Sequence, residues 1–205
     1  MAYRLSPVTR ASLRDAPAVC VDCVFWQGRG RRPVDKGRWA ERMEEDWGAW
    51  GTLYQAEGDR LLGFVQYGPS AQFPRAADLP AGPPSSDAIL VTCAYLVDVS
   101  SPWVLQSLFL AAIGEVRDRG IKAIETFGYR YPDGATSYER VLVHRTVFPS
   151  DFLADFGFYP VRWQGDVCLA RLELGGLVPV EEGMTARAWR RAKEALVPAP
   201  VPQRP

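Results

Sequence analysis

Histidine is almost missing from this chain: His144 is the only one in 205 residues, so no histidine pair is available to hold a metal. Cysteine is scarce too. Four in a chain this long do not read as a disulfide framework. Net charge is absent, with 24 basic side chains against 24 acidic ones. That removes the bulk argument for nucleic acid or an anionic membrane as partner. No apolar run is long enough for a transmembrane helix, and Met1 to Ser6 has no signal-peptide core. The expectation is a cytoplasmic protein whose partners are neither nucleic acid nor membrane, and whose length suffices for one full core.

What is present centres on Ala88 to Gly128. Ala88 to Val97 is a nearly unbroken apolar run rich in β-formers, and it reads as a buried strand. Ser101-Pro102 starts a helix, with Ser at the cap and Pro at the first helical position. Val104, Leu105, Leu108, Phe109, Ala112, Ile113 and Val116 follow at helical spacing. Gly120 ends the helix in the left-handed conformation. Ile121 to Phe127 is a second strand, parallel to the first because the crossover is a helix.

Around this unit, Tyr3 to Val8 reads as a strand and Ala11 to Ala16 as a short helix capped by Thr9. Asp35 to Trp47 is a helix, since Trp39, Met43 and Trp47 lie four apart. Thr52–Ala56 and Leu61–Tyr67 flank Glu57 to Arg60 as a hairpin. Gly68 to Asp87 holds most of the internal prolines and is long for a loop, so it is either mobile or functional. Gly128 to Phe148 follows no regular pattern. Pro149 to Phe156 is a short helix ended by Gly157, and a hairpin around Gln164-Gly165 comes last. Thr185 to Leu196 is a final helix, placing a single domain at residues 1–197 and a Pro-rich disordered tail at 198–205.

This order, with the strand Ile89–Val97, the helix to Gly120, the strand Lys122–Thr126 and the segment Phe152-Leu-Ala-Asp-Phe-Gly-Phe158, resembles the GNAT superfamily of acyl-CoA-dependent N-acetyltransferases. The resemblance implies an α/β fold (mixed α+β): a central, mostly antiparallel mixed sheet with a βαβ core flanked by helices. It implies acetyl-CoA as cosubstrate and direct attack by an amine of a small molecule or a protein lysine. The thioester would lie along Tyr95, Leu96 and Val97, and the pyrophosphate near Ser100, Ser101, Trp103 and Val104 at the helix start. The family's phosphate loop reads Gln/Arg-x-x-Gly-x-Gly/Ala. Ser100 to Leu105 stands there in this chain, with Trp103 and Leu105 at the glycine positions. A ring filling the phosphate niche favours the alternative, a GNAT-fold interaction protein that has lost CoA binding and catalysis.

The candidate chemistry has open alternatives. Glu125 is either a base at the acceptor cleft or a solvent-facing charge. Asp98 does similar work or caps the following turn. Tyr129, with Tyr131 and Tyr138, replaces the family's usual tyrosine, whose position holds Leu153, or packs the loop. The amine acceptor would enter between Tyr67, the Pro-rich loop and Glu125. Cys20-x-x-Cys23 is a redox pair, half a metal site, or two thiols packing beside Phe25 and Trp26; no second ligand pair is visible, so no metal is expected. Cys93 sits where inert buried cysteines live, with Thr92 and Tyr95 taken to face the other side. His144 is a base or an ordinary polar residue. The final helix packs on the domain or on a second subunit.

Overall fold

The computed structural model describes residues 3–29, 33–98, 101–131 and 146–175. Ser100, Tyr138, His144, the final helix, the tail and the extension of the domain to residue 197 lie outside the described residues. Strand β1 (Tyr3–Pro7) leads to helix α1 (Ala18–Val21) and helix α2 (Lys36–Asp46). Strands β2 (Gly51–Ala56), β3 (Arg60–Pro69) and β4 (Ala88–Leu96) follow. Helix α3 (Pro102–Asp118) crosses over to β5 (Ala123–Tyr129). Then come β6 (Phe148–Pro149), α4 (Ser150–Asp155), β7 (Tyr159–Gln164) and β8 (Val167–Glu173).

The strands form one sheet in the order β1-β2-β3-β4-β5-β8-β7, with β6 paired to β5 off that path. β4 and β5 are parallel and so are β5 and β6; every other pair is antiparallel. This is the mixed, mostly antiparallel sheet with a βαβ core that the sequence predicts. β4 is central, and its two faces meet two separate cores, which explains its unbroken apolar run. One core holds the apolar face of α3 together with Phe148, Phe152 and Phe158 around Phe109. The other holds Trp26, Trp39, Trp50, Phe73 and Phe127.

Local chemistry sets most boundaries. Asp35 caps α2 by accepting the Arg38 N–H at 3.1 Å. Gly120 has φ +74° and ends α3, and the Ile121 N–H reaches back to Val116 O at 3.3 Å. That cap uses Ile121, so β5 starts at Ala123 and runs to Tyr129 instead of spanning 121 to 127. The helix expected at 11–16 is only a 3-10 turn at Leu13–Asp15. Pro17 forces Ala16 into extended backbone (ψ 164°), and α1 begins after it.

The Pro-rich segment is an ordered strap. It makes two 3-10 turns, Ser70–Gln72 and Pro74–Ala77, and buries Phe73, Ala76 and Ala81. Arg162 donates to Ala81 O and Pro83 O at 2.6 Å, and Gln164 Oε1 accepts from Ala81 N at 3.0 Å.

Candidate functional site

The sheet opens between β4 and β5. Their ladder runs from Ala88↔Ala123 to Val91↔Thr126 and ends there, although both strands continue. A bulge marks the spot. Gln66 of β3 pairs with Cys93 and Tyr67 with Val91, so Thr92 is the extra residue. The bulge is held by Gln66 Nε2 donating to Thr92 Oγ1 at 2.8 Å and by Thr126 Oγ1 donating to Val91 O at 2.9 Å. Beyond it, Val97 N–H donates to Leu62 O on β3 at 2.9 Å. Alternation along the strand therefore aims the N–H groups of Leu96 and Ala94 the other way, into the wedge facing β5. Part of the wedge is taken by β6, whose Phe148–Pro149 pairs with Gly128–Tyr129 on the edge of β5 that β4 has left. β6 joins the end of the stretch expected to be irregular, Phe148, to the first residue of the expected helix, Pro149.

One face of the wedge carries an apolar pocket of about 190 Å3. Ala94, Cys93 and Tyr95 supply its β4 wall; Cys20, Phe25 and Trp26 come from α1 and the turn after it. Cys93 and Tyr95 thus share a face, contrary to the expected opposition, because residues two apart on a strand point the same way. Enclosure pushes the Cys93 thiol up to about 12 and keeps it protonated. The Trp26 indole N–H is buried with no hydrogen-bond partner among the described residues. The buried indole N–H groups of Trp47 and Trp50 are likewise without a partner among the described residues, and Trp26 is the one of the three at this pocket's wall. Beneath lies a polar cluster in which Gln27 Nε2 donates to Gln66 Oε1 at 3.4 Å. Lys36 packs over Trp39 at 4.4 Å from the ring centroid, and burial lowers its pKa.

A second concavity, about 180 Å3, lies at the start of α3 between Arg60, Val97, Asp98, Ser101, Trp103 and Val104. It opens on the β3 side of β4, while the wedge opens on the β5 side. Trp103 is drawn to that side too. Its ring meets Tyr3 at 5.2 Å and Tyr54 at 5.5 Å between centroids, over β1 and β2. The ring therefore does not stand in the wedge. Pro102 has no N–H, and Val104 N–H is spent on Ser101 O at 3.0 Å, so the first turn of α3 offers few donors.

The expected catalytic residues are not brought together. Glu125 has no exposed surface. It sits at the closed end of β5, opposite Leu90, and accepts from Ser85 N at 2.7 Å, Ser85 Oγ at 2.6 Å and Arg171 Nη1 at 3.1 Å. It is no solvent-facing charge, and its oxygens are engaged in tying down the strap. Tyr129 lies at the open end of β5, against Tyr131 at 4.7 Å. Asp98 stands beyond β4 at the α3 concavity. Leu96 is buried on the α3 side. Among the described residues, no group of three or more His, Cys, Asp or Glu side chains is arranged to hold a metal ion, and no helix is long and apolar enough to cross a membrane.

The fold has counterparts among solved structures. The loading GNATL domain of CurA from Lyngbya majuscula superposes with a TM-score of 0.51 at 11% identity, over 85% of this chain and 98% of that one. The chain has the GNAT fold. Other solved structures with this fold are similar at lower scores. The N-acetyltransferase from Staphylococcus aureus Mu50 gives 0.49 at 12% identity, over 85% of this chain and 99% of that one. The PaiA N-acetyltransferase from Thermoplasma acidophilum, solved in complex with coenzyme A, gives 0.48 at 12% identity, over 84% and 99%. Neither a protein-family model nor a curated protein sequence matches the chain. Within the GNAT fold, the residues that sequence reasoning missed are the pocket wall itself, Val19, Phe25 and Trp26. Phe25 and Trp26 form a compact aromatic run after Cys23, and Val19 carries no signal of its own.

Proposed function

We propose that the protein binds an acyl-CoA thioester in the wedge between β4 and β5 and transfers its acyl group to an amine. The observation that carries this reading is the pair of β4 N–H groups, Ala94 and Leu96, aimed into a wedge beside an apolar pocket. The residues fit a thioester's reacting end: the pocket is apolar, and the buried Trp26 N–H has no partner among the described residues. CoA supplies the activated carbonyl and the leaving thiol. Ala94 N–H donates to the carbonyl oxygen as negative charge develops on it. Tyr95 and Ala94 wall the acyl group. Tyr129, on the β5 side of the wedge, protonates the departing thiolate, and the phenolate so formed takes back the proton that the attacking nitrogen sheds. The pocket lining has no carboxylate among the described residues, so the amine enters uncharged. The start of α3, at Ser101 and Val104, borders the phosphate end, while the Trp103 ring and Arg60 stand on its β3 side, away from the wedge. Glu125 acts through the strap, as a positioning residue.

A second reading is favoured by β6 lying in the wedge and by the donor-poor start of α3: a GNAT-fold protein that binds other molecules without CoA. Calorimetric titration with acetyl-CoA, of the native protein and Trp103→Gly, separates the two. Saturable micromolar binding by the native protein is the expected result. The Trp103 ring lies over β1 and β2, so Trp103→Gly should change that affinity less than tenfold. No native binding up to millimolar concentration sinks the transferase reading and leaves the second.

A further inference from the structure

Cys20 and Cys23 are not explained by acyl transfer. Both line the apolar pocket, Cys20 half-buried and Cys23 exposed. Cys23 N–H donates to Cys20 O at 3.3 Å, closing a tight turn just past α1. A turn closed in this way holds its end Cα atoms within about 7 Å. A disulfide needs roughly 4.4–6.8 Å, so the backbone already presents the two residues near bonding geometry. Cys93 faces them from β4 across the same pocket. Its thiol, pushed up to about 12, stays protonated and is a poor third partner. Lys36 interacts with all three cysteines, which raise its pKa against the larger lowering by burial. Two thiols in one turn, one of them open to solvent, at the rim of one pocket: this is an arrangement that suits thiol exchange.

We propose that Cys20 and Cys23 are a redox-active dithiol that closes to an intramolecular disulfide at the pocket rim by exchange with a small-molecule disulfide. The Cys23 thiolate attacks one sulfur of that disulfide, forming a mixed disulfide and expelling one small thiolate, which takes up a proton. The Cys20 thiolate then attacks Cys23 Sγ, forming the Cys20–Cys23 bond and expelling the second small thiol. Two protein thiols are oxidised, and one small disulfide is reduced to two thiols. The new bond joins two residues of the pocket wall, so the pocket differs between the two states. The proposal holds whether or not a thioester binds in the wedge.

The test uses the full chain equilibrated in mixtures of reduced and oxidised glutathione, quenched with acid, alkylated with a maleimide in denaturant and digested with trypsin. Cleavage after Arg14 and Arg29 leaves Cys20 and Cys23 on one peptide and Cys93 on another. In oxidising mixtures the first peptide should lose both maleimide adducts and two hydrogens. Dithiothreitol should restore the adducts, and the Cys93 peptide should keep its own throughout. Cys20→Ser should trap glutathione on Cys23. The proposal is overturned if the peptide keeps both adducts at every ratio, if Cys20 or Cys23 links to Cys93, or if Cys20→Ser takes up no glutathione.

Discussion

At the scale of single residues, the sharpest feature is the knot around Arg171. Its guanidinium lies 3.1 Å from buried Glu125, 2.9 Å from Asp87 and 2.6 Å from Glu173. A carboxylate with no exposed surface is tolerated only while it is paired and hydrogen-bonded. Arg171→Leu should therefore cost about 3 kcal/mol and lower Tm on the order of 10 °C for a chain of this size. Adding Glu125→Gln to that variant should recover most of the loss. Thermal melts showing a change under about 1 kcal/mol for the single variant would disprove the account. The Arg171 guanidinium also holds the Asp87 carboxyl below its ordinary value. A depressed folded-state pKa contributes stability above the unfolded value and loses it as pH falls through the folded one. Asp87→Asn should thus be less stable than the native protein at neutral pH and equal to it in strong acid. Urea titrations at both pH values check this; an equal gap at both excludes it. None of this was legible from Glu125 alone. Sequence placed it on a strand, facing either a cleft or solvent, but its partners Ser85 and Arg171 are 40 and 46 residues away.

At the scale of elements, α3 shows how sequence and packing divide the work. Its start at Pro102 and its apolar spacing are local, and the sequence reading of them stands, although Ser101 at the cap position makes no side-chain capping bond. How closely it lies on the sheet is not local. A Cβ at Gly63 of β3 would stand 2.8 Å from Val104 Cγ1, 2.9 Å from Leu108 Cδ1 and 3.0 Å from Tyr95 O. Gly63 is thus the contact that lets α3 close on the sheet. Gly63→Ala should destabilise by about 1–3 kcal/mol. Gly114→Ala, on the same helix with nothing within 4 Å, should stabilise by about 0.5–1 kcal/mol through lost unfolded-state freedom. Denaturant midpoints moving the same way for both would refute the packing argument. The elements the sequence missed are short and non-local. α1 is four residues after a proline, and β6 is two residues that exist only because β5 offers them an edge. Neither leaves a periodic signal.

At the scale of the whole molecule, the candidate site depends on where two strands part. The β4–β5 ladder stops at Val91↔Thr126, and the bulge at Thr92 turns the following N–H groups toward the gap. Saturable binding of acetyl-CoA in the calorimeter requires wedge, pocket and α3 start to act as one site. The three expected catalytic side chains fall at three separate places, so only Tyr129 keeps a direct catalytic role in the proposed chemistry. The two cysteines, by contrast, share a turn and a pocket wall.

By itself the sequence determined the βαβ core, the β2–β3 hairpin, α2 and the terminal hairpin. Each of these is set by spacing, caps and turn residues within a few positions of one another. Only the tertiary structure decided that Trp103 lies over β1 and β2, that the Pro-rich segment is a pinned strap, and that Glu125 is tied to it. It alone placed Cys93 and Cys20 on one pocket. These are contacts between residues far apart in the chain. Their geometry is set by strand order and bulge position, which no local pattern encodes.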